Sequence, residues 1–308
     1  DGGQIVKNKV LLIFVMLIFG SIGLFVKSIE LSSSQIALFR GGIGSFVLLL
    51  ASPFVKGKIR FKTAKRNILP LLFSAGALGF NWIFLFEAYR YTTISNATIS
   101  YYFAPVFVIL LSPLFLKEKW TWYKLVSVLL AMVGLGLLLK PGSFMAGGID
   151  RHGIGIGYGL LAASLYAAVI LLNKCIQGFS GYERTLIQLS VATMILLPYV
   201  AFTEKMDITG LDFLSITFLL VLGIVHTGIA YILYFSVMPK VSAQTVAVFS
   251  YLDPIFAVLF SSLLMHEAIG FWERIGGILI LGAAFFNEML EGKRANREIL
   301  TMGIKKEG

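Results

Sequence analysis

The chain has few of the residues that soluble enzymes use. Charged residues make up 14% of its 308 residues, whereas soluble domains carry about 25%. The one cysteine, Cys175, cannot form an internal disulfide or build a thiolate metal site. The pair His266-Glu267 is followed by Ala-Ile-Gly, which excludes the HExxH zinc motif, and a P-loop is also absent. We therefore expect no enzyme activity, no metal and no cofactor.

Acidic residues are also scarce. The chain has 16 Asp and Glu residues and 26 Lys and Arg residues, which gives a net charge of +10. The basic residues occur in short stretches between apolar runs, not in an aromatic-interleaved patch, which argues against a nucleic-acid partner. Hydrophobic residues, in contrast, make up 57% of the chain. This composition predicts a protein whose solvent is the lipid bilayer.

Ten apolar runs are long enough to cross a bilayer as helices, which takes about 20 residues each. The predicted spans are Val10–Val26, Ser34–Val55, Ile68–Tyr91, Ala97–Leu116, Tyr123–Leu139, Ile154–Ile176, Glu183–Phe202, Phe213–Met238, Ala243–Met265 and Phe271–Met289. With both termini inside, this alternation places 19 of the 26 Lys and Arg residues inside and six outside, and Arg40 lies within a helix. Lys and Arg resist translocation, so the bias predicts an inner (cytoplasmic) membrane protein with cytoplasmic termini.

The two halves of the chain repeat each other. Residues 97–118 and 246–267 align at an offset of 149 with seven identities in 22 positions, including Tyr102/Tyr251 and Pro105/Pro254. The aligned segments are five helices apart, so they are expected to cross the membrane in opposite directions. Inverted repeats are typical of secondary transporters, whose solute site lies between the halves near the midplane.

We therefore predict an all-α integral membrane fold of ten helices in two inverted five-helix repeats. The expected regions are a cytoplasmic N-terminus over 1–9, a first repeat over 10–139, an extracytoplasmic linker over 140–153, a second repeat over 154–289 and a basic cytoplasmic tail over 290–308.

The pattern resembles the drug/metabolite transporter superfamily in its EamA-type ten-helix form. The resemblance rests on the stretches from Pro105 to Glu118 and from Pro254 to Glu267, each followed by a Gly-rich helix that ends a half. It implies a carrier that exports amino acids or metabolites, or exchanges metabolites and nucleotide-sugars. It also implies a central cavity lined by the third, fourth, eighth and ninth helices, with the first and sixth closing it.

Polar residues inside spanning helices are costly and mark solute or proton pathways. Asp253 carries most weight, as a proton carrier or as the counter-charge of a cationic solute; the alternative is a cap on the backbone near Pro254. His226 is the candidate to relay a proton with Asp253, although a packed core histidine fits equally. The candidate substrate-binding residues are Asn81, Trp82, Tyr101, Tyr102, Tyr166, His226, Tyr251 and Asp253.

Two further groups are candidates for conformational change. Pro105 and Pro254 each remove a helical hydrogen bond, which predicts kinks that act as hinges, or static packing. Glu87 and Arg90 share a helix face near the outer end, and Arg40 lies about two turns into the second helix from the same side. They predict a Glu87–Arg40 or Glu87–Arg90 ion pair, or an outer gate.

These features favour a secondary active transporter of a small organic metabolite, an amino-acid or metabolite exporter above all, working by alternating access. Coupling to protons is left open. Aromatic residues beside Asp253 give the alternative of a quaternary amine or polyamine-like cation in an aromatic cage. A membrane-embedded enzyme and a channel are disfavoured. The expected partners are the lipid bilayer, a small-molecule solute and protons, and both monomer and homodimer remain open.

Overall fold

The computed structural model describes residues 2–54, 67–116, 121–138, 151–204, 211–237, 240, 249–286 and 289–290. Within these ranges all regular structure is helical. Seven helical segments are long and apolar enough to cross a membrane, and two shorter apolar helices accompany them. Large apolar side chains stay exposed along these helices, such as Phe46 at 60% and Phe73 at 67%. The chain is therefore a multi-pass membrane protein.

The helices, in chain order, are α1 (Gly2–Gly20), α2 (Ile22–Lys27), α3 (Ser33–Ala51), α4 (Ile68–Tyr91), α5 (Ile94–Tyr101), α6 (Ala104–Leu116), α7 (Trp122–Leu138), α8 (Arg151–Cys175), α9 (Gly181–Thr203), α10 (Phe213–Val221), a π-helix (Leu222–Ile229), α11 (Ala230–Val237), α12 (Leu252–Leu264) and α13 (271–286). Most begin and end within a few residues of the predicted spans. The basic tail beyond residue 290 and most of the predicted linker lie outside the described residues.

At one end of the bundle, polar contacts join the termini of several helices. We call this the Glu267 end. Lys27, which ends α2, forms a salt bridge with Glu267, which follows α12. His152 in the first turn of α8 places its Nδ1 2.7 Å from the hydroxyl of Thr92, which follows α4. The first and second halves of the chain therefore meet at this end through side-chain contacts.

The opposite end of the bundle, called here the Cys175 end, is also held by contacts between the halves. The Asn67 side chain, just before α4, donates a hydrogen bond at 3.1 Å to the carbonyl of Gln177, just after α8. The Tyr182 hydroxyl at the start of α9 donates to the carbonyl of Leu48 near the end of α3. Cys175 itself is a free, exposed thiol.

The repeat-matched segments cross each other in opposite directions. The carboxylate of Glu267, just after α12, accepts a hydrogen bond at 2.9 Å from the backbone N–H of Ile94, the first residue of α5. The end of α12 therefore meets the beginning of α5. Glu118, the repeat mate of Glu267, lies outside the described residues.

The two repeat-matched spans, Ala97–Leu116 and Ala243–Met265, are each interrupted by a turn, which corrects the kinked but unbroken helices that the sequence predicts. A turn separates α5 from α6, and Pro105 is the second residue of α6. A turn at Tyr251 precedes α12, and Pro254 is its third residue. In the first turn of a helix the N–H that proline lacks would have no partner anyway. The sequence stays apolar through each break, so its hydropathy does not reveal the turn.

Glycines let α8 approach the fourth span closely. A Cβ atom built on Gly159 would lie 2.1 Å from the Ser100 hydroxyl oxygen, and one built on Gly155 would lie 2.8 Å from Thr92 Cβ. A Cβ atom on Gly157 would meet nothing within 4 Å. Close approach of small residues is a common way for membrane helices to pack. Here it holds α8 against the wall that carries the central cavity.

Candidate functional site

A cavity of about 550 Å³ lies between the two halves of the chain, a volume typical of small-molecule sites. Its wall comes from α1, α2, α3, α4, α5, α6, α8, α9, α11 and α12 and from the turns before α6 and α12. It extends to Gly181, the first residue of α9, at the Cys175 end. Lys27, Ile94 and Glu267 do not line it. Among the described residues, the wall therefore includes the helix end at Gly181 and extends toward the Glu267 end as far as Tyr89, without the contacts that join Lys27, Ile94 and Glu267.

Aromatic side chains cover much of the cavity wall. The repeat mates Tyr102 and Tyr251 face each other with ring centroids 6.4 Å apart. The Tyr101 ring lies 5.9 Å from Tyr102 and 5.4 Å from Tyr166. Trp82 lines the same space. The structure thus brings together five of the predicted substrate-binding residues, and their contact with a solute stays a prediction.

Asp253 also lines the cavity, where it joins the two broken spans. The Tyr102 hydroxyl donates to Asp253 Oδ2 at 2.7 Å and lies 3.3 Å from the carbonyl oxygen of Ser250. That carbonyl lies just before the turn at Tyr251 that precedes α12. Asp253 sits in the first turn of α12, where the helix dipole favours a negative charge.

The start of α12 rests directly on α1. A Cβ atom on Gly20 would lie 2.7 Å from the carbonyl oxygen of Asp253 and 3.0 Å from the backbone nitrogen of Ala257. Both atoms belong to the backbone, so they cannot rotate away as a side chain does. Glycine at this position therefore fixes how closely α1 supports the cavity residue Asp253.

Arg40 lies inside the bundle and not in an outer ion pair, which corrects the predicted Glu87–Arg40 alternative. Its side chain is 3% exposed and lines the cavity. Its Nε donates to the Thr227 hydroxyl at 2.9 Å, and its guanidinium carbon lies 4.6 Å from the centre of the Trp82 ring. Thr227 belongs to the π-helix, a local widening that often marks functional sites.

Glu87 and Arg90 remain near the Glu267 end. Arg90 Nε lies 4.0 Å from Glu87 Oε2, so the structure shows the Glu87–Arg90 alternative as a long ion pair. The Ser33 hydroxyl donates to Glu87 at 2.6 Å, and Arg90 donates to the carbonyl of Leu31. Both side chains therefore tie the end of α4 to the beginning of α3.

Asn81 and His226 do not line the cavity, and the structure does not bring His226 to Asp253. The Asn81 side chain donates to the carbonyl of Ala162 at 2.6 Å and so joins α4 to α8. His226 Nε2 lies 2.9 Å from the Ser21 hydroxyl. The described ranges contain no group of three or more His, Cys, Asp and Glu residues able to hold a metal ion.

Polar residues near the Cys175 end complete the lining, and the sequence-based candidates did not include them. The Gln188 side chain donates to Asn173 Oδ1 at 2.6 Å, and Arg184 donates to the Asn173 carbonyl at 3.2 Å. The buried Nε of Arg184 has no hydrogen-bond partner within the described part of the chain. Gln188 and Asn173 were detectable as amides inside apolar spans, but Arg184 reads as an ordinary residue of a helix end.

Comparison with known proteins identifies the family. The family model described as the EamA-like transporter family matches residues 8–140 and again 153–289. The uncharacterized transporter YxxF of Bacillus subtilis is 29% identical over 290 residues, covering 92% of this chain and 90% of that protein. Solute carrier family 35 member G1 of Mus musculus is 25% identical over 275 residues, covering 85% of this chain and 72% of that protein.

A solved crystal structure shares the fold. It superposes with a TM-score of 0.62 at 15% sequence identity, covering 92% of this chain and 98% of that one. Two family matches that together span most of the sequence confirm the resemblance drawn from the paired Pro-to-Glu stretches. The chain belongs to the EamA-like transporter family of the drug/metabolite transporter superfamily.

Proposed function

We propose that this chain is a secondary active transporter that moves a small organic metabolite by alternating access. The observation that carries the proposal is the cavity between the halves, which reaches Gly181 at the Cys175 end and stops below the contacts of the Glu267 end. A carrier needs such a one-sided cavity, because solute must enter from one side while the other is closed. A channel would need a path open to both ends at once.

Closure at the Glu267 end is built from contacts that can break as a group. The Glu267 carboxylate binds the Lys27 ammonium, the Ile94 backbone N–H and the Ser261 hydroxyl. Its partners lie at the end of the first span, the start of the fourth span and within the ninth span. Loss of this cluster would remove the polar contacts that join these three spans at the Glu267 end. We propose that it is the gate of the transporter at this end.

The distribution of Lys and Arg supports an orientation that is compatible with export. From the positive-inside rule we propose that the Cys175 end faces the cytoplasm and the Glu267 end faces outward, with ten spans and both termini on the cytoplasmic side of the inner membrane. The cavity then faces the cytoplasm, where an exporter collects its solute. An amino acid or a metabolite of similar size fits a space of about 550 Å³.

Asp253 is the candidate coupling residue, because it is the carboxylate among the residues that line the cavity. Its protonation removes one negative charge next to the solute and weakens the bond from Tyr102. Either change alters which cavity opening is favoured, since a ligand or proton shifts such an equilibrium only through unequal interaction with the two states. Exchange of a proton at Asp253 would therefore link export to the proton gradient.

The test is solute-driven proton movement in proteoliposomes that hold a pH-sensitive dye. A mixed pool of amino acids and organic acids should drive proton flux with wild-type protein, and this flux should saturate with solute concentration. Asp253→Asn should abolish or uncouple it, whereas Glu30→Gln, an exposed carboxyl change outside the cavity, should leave it unchanged. Normal coupling in Asp253→Asn would eliminate this role, and flux that never saturates would contradict a carrier.

A further inference from the structure

We infer that the transported solute is an organic anion whose carboxylate binds Arg40, an inference that rests on the proposed transport function. Among the described residues, the charged ones that line the cavity are Arg40, Arg184 and Asp253. Two guanidinium groups therefore face one carboxylate, and that carboxylate already accepts a hydrogen bond from Tyr102. The surplus of positive charge favours an anionic group on the solute.

The Arg40 guanidinium is held in a fixed orientation with part of its hydrogen-bonding capacity unused. Its Nε binds Thr227, and its plane is restrained beside the Trp82 ring. Among the described residues, Thr227 is the one hydrogen-bond partner of the Arg40 side chain. The two terminal nitrogens of the guanidinium are therefore available to bind a group in the cavity. A planar guanidinium presents these two nitrogens as a fork that matches the two oxygens of a carboxylate.

Arg40 forms no ion pair with an acidic side chain in the described part of the chain, and Asp253 acts on its charge only from beyond ion-pair distance. Neither Asp253 nor Glu87 lies within ion-pair distance of it, although Asp253 lines the same cavity. A buried charge without a counter-ion in direct contact is unfavourable, so a solute carboxylate that reached the guanidinium would be stabilised by it. The same positive charge would repel the quaternary or polyamine-like cation that the aromatic wall alone would suit.

Arg184 extends this preference toward the cavity mouth. It lines the cavity on α9, near Gly181 at the Cys175 end, and its buried Nε has no hydrogen-bond partner among the described groups. An anion that enters from this end meets Arg184 first and Arg40 deeper in the wall. The tyrosines between them supply apolar surface for the body of the solute.

The test compares two probes of similar size and opposite charge on purified wild-type protein. Phenylpropionate and phenethylamine share a phenyl ring and a two-carbon chain, and they end in a carboxylate and an ammonium group. A ligand that binds the folded state raises the melting temperature with concentration. We expect phenylpropionate to raise it and phenethylamine to leave it unchanged. Equal stabilisation by both probes, stabilisation by the amine alone, or none by either overturns the inference.

Variants then assign the anion to Arg40. Arg40→Gln should weaken phenylpropionate binding about 10- to 100-fold, the loss expected for a charge-assisted hydrogen-bonded pair. Arg40→Lys should weaken it less, and Arg274→Gln, an exposed arginine outside the cavity, should not change it. Unchanged affinity in Arg40→Gln overturns the assignment; if that variant does not fold, unchanged affinity in Arg40→Lys overturns it instead. Anion binding without any solute flux would refute the transport function and leave the anion site standing.

Discussion

Glu267→Gln should open the Glu267 end of the cavity. The glutamine keeps an oxygen for the Ile94 N–H but loses the charge that binds Lys27. The two side chains of the salt bridge are 21% and 13% exposed. The bridge should therefore contribute more than an exposed pair and less than a fully buried one, about 1.5 kcal/mol. Such a loss shifts the balance between closed and open states about tenfold toward open.

Thiol labelling measures this shift. Tyr166→Cys in a Cys175→Ser background places one thiol in the cavity wall, and a membrane-impermeant reagent is added from the Glu267 side. The labelling rate should rise about tenfold in Glu267→Gln, and Lys27→Gln should give a similar rise. In the double variant the two effects should not add, because both remove the same salt bridge.

Glu30→Gln is the matched control for the gate. This exposed carboxyl is at the same end of the bundle, and it makes no ion pair with another described residue. Its labelling rate should equal that of the parent. An unchanged rate in Glu267→Gln with intact folding would refute the gate, as would an equal rise in Glu30→Gln.

Two further variants test the packing around the cavity by melting temperature in detergent. Gly159→Ala should destabilise the protein by about 1–3 kcal/mol, because its Cβ would press on Ser100, whereas Gly157→Ala should cost nothing; equal melting temperatures would contradict the α8 contact. Tyr102→Phe should cost about 1–3 kcal/mol, because Asp253 loses its donor; Tyr199→Phe, on a half-exposed ring outside the cavity, is the control, and an equal loss in both would contradict the Asp253 bond.

The family and the helical membrane fold could be predicted because hydropathy and the internal repeat are properties of the linear sequence. Hydropathy gives the depth of a residue in the membrane, but it does not give the direction in which the side chain points. Asn81 and Trp82 are neighbours at one depth, yet Trp82 lines the cavity and Asn81 turns to α8. Successive helix residues point about 100° apart, and the rotation of each helix is set by packing that the sequence does not display.

The position of Arg40 shows the same limit. Its depth from the outer side of the membrane suggested an ion pair with Glu87, whereas its actual contacts are Thr227 and Trp82. The tyrosines Tyr102 and Tyr251 were easier to place in the cavity, because the repeat pairs them beside Pro105 and Pro254. The symmetry carried information about direction that hydropathy lacks.

Alternating access requires that one end of the bundle opens while the other closes. Distances measured at the two ends should therefore change in opposite directions. Pulsed electron spin resonance measures one label pair at the Glu267 end, on Ser28 and Phe271 in a Cys175→Ser background. A second pair, on Val6 and the native Cys175, reports the Cys175 end. Across changes of pH and added solute, the first distance should lengthen as the second shortens. Simultaneous lengthening of both distances, or no change in either, would contradict a carrier with one cavity between two halves.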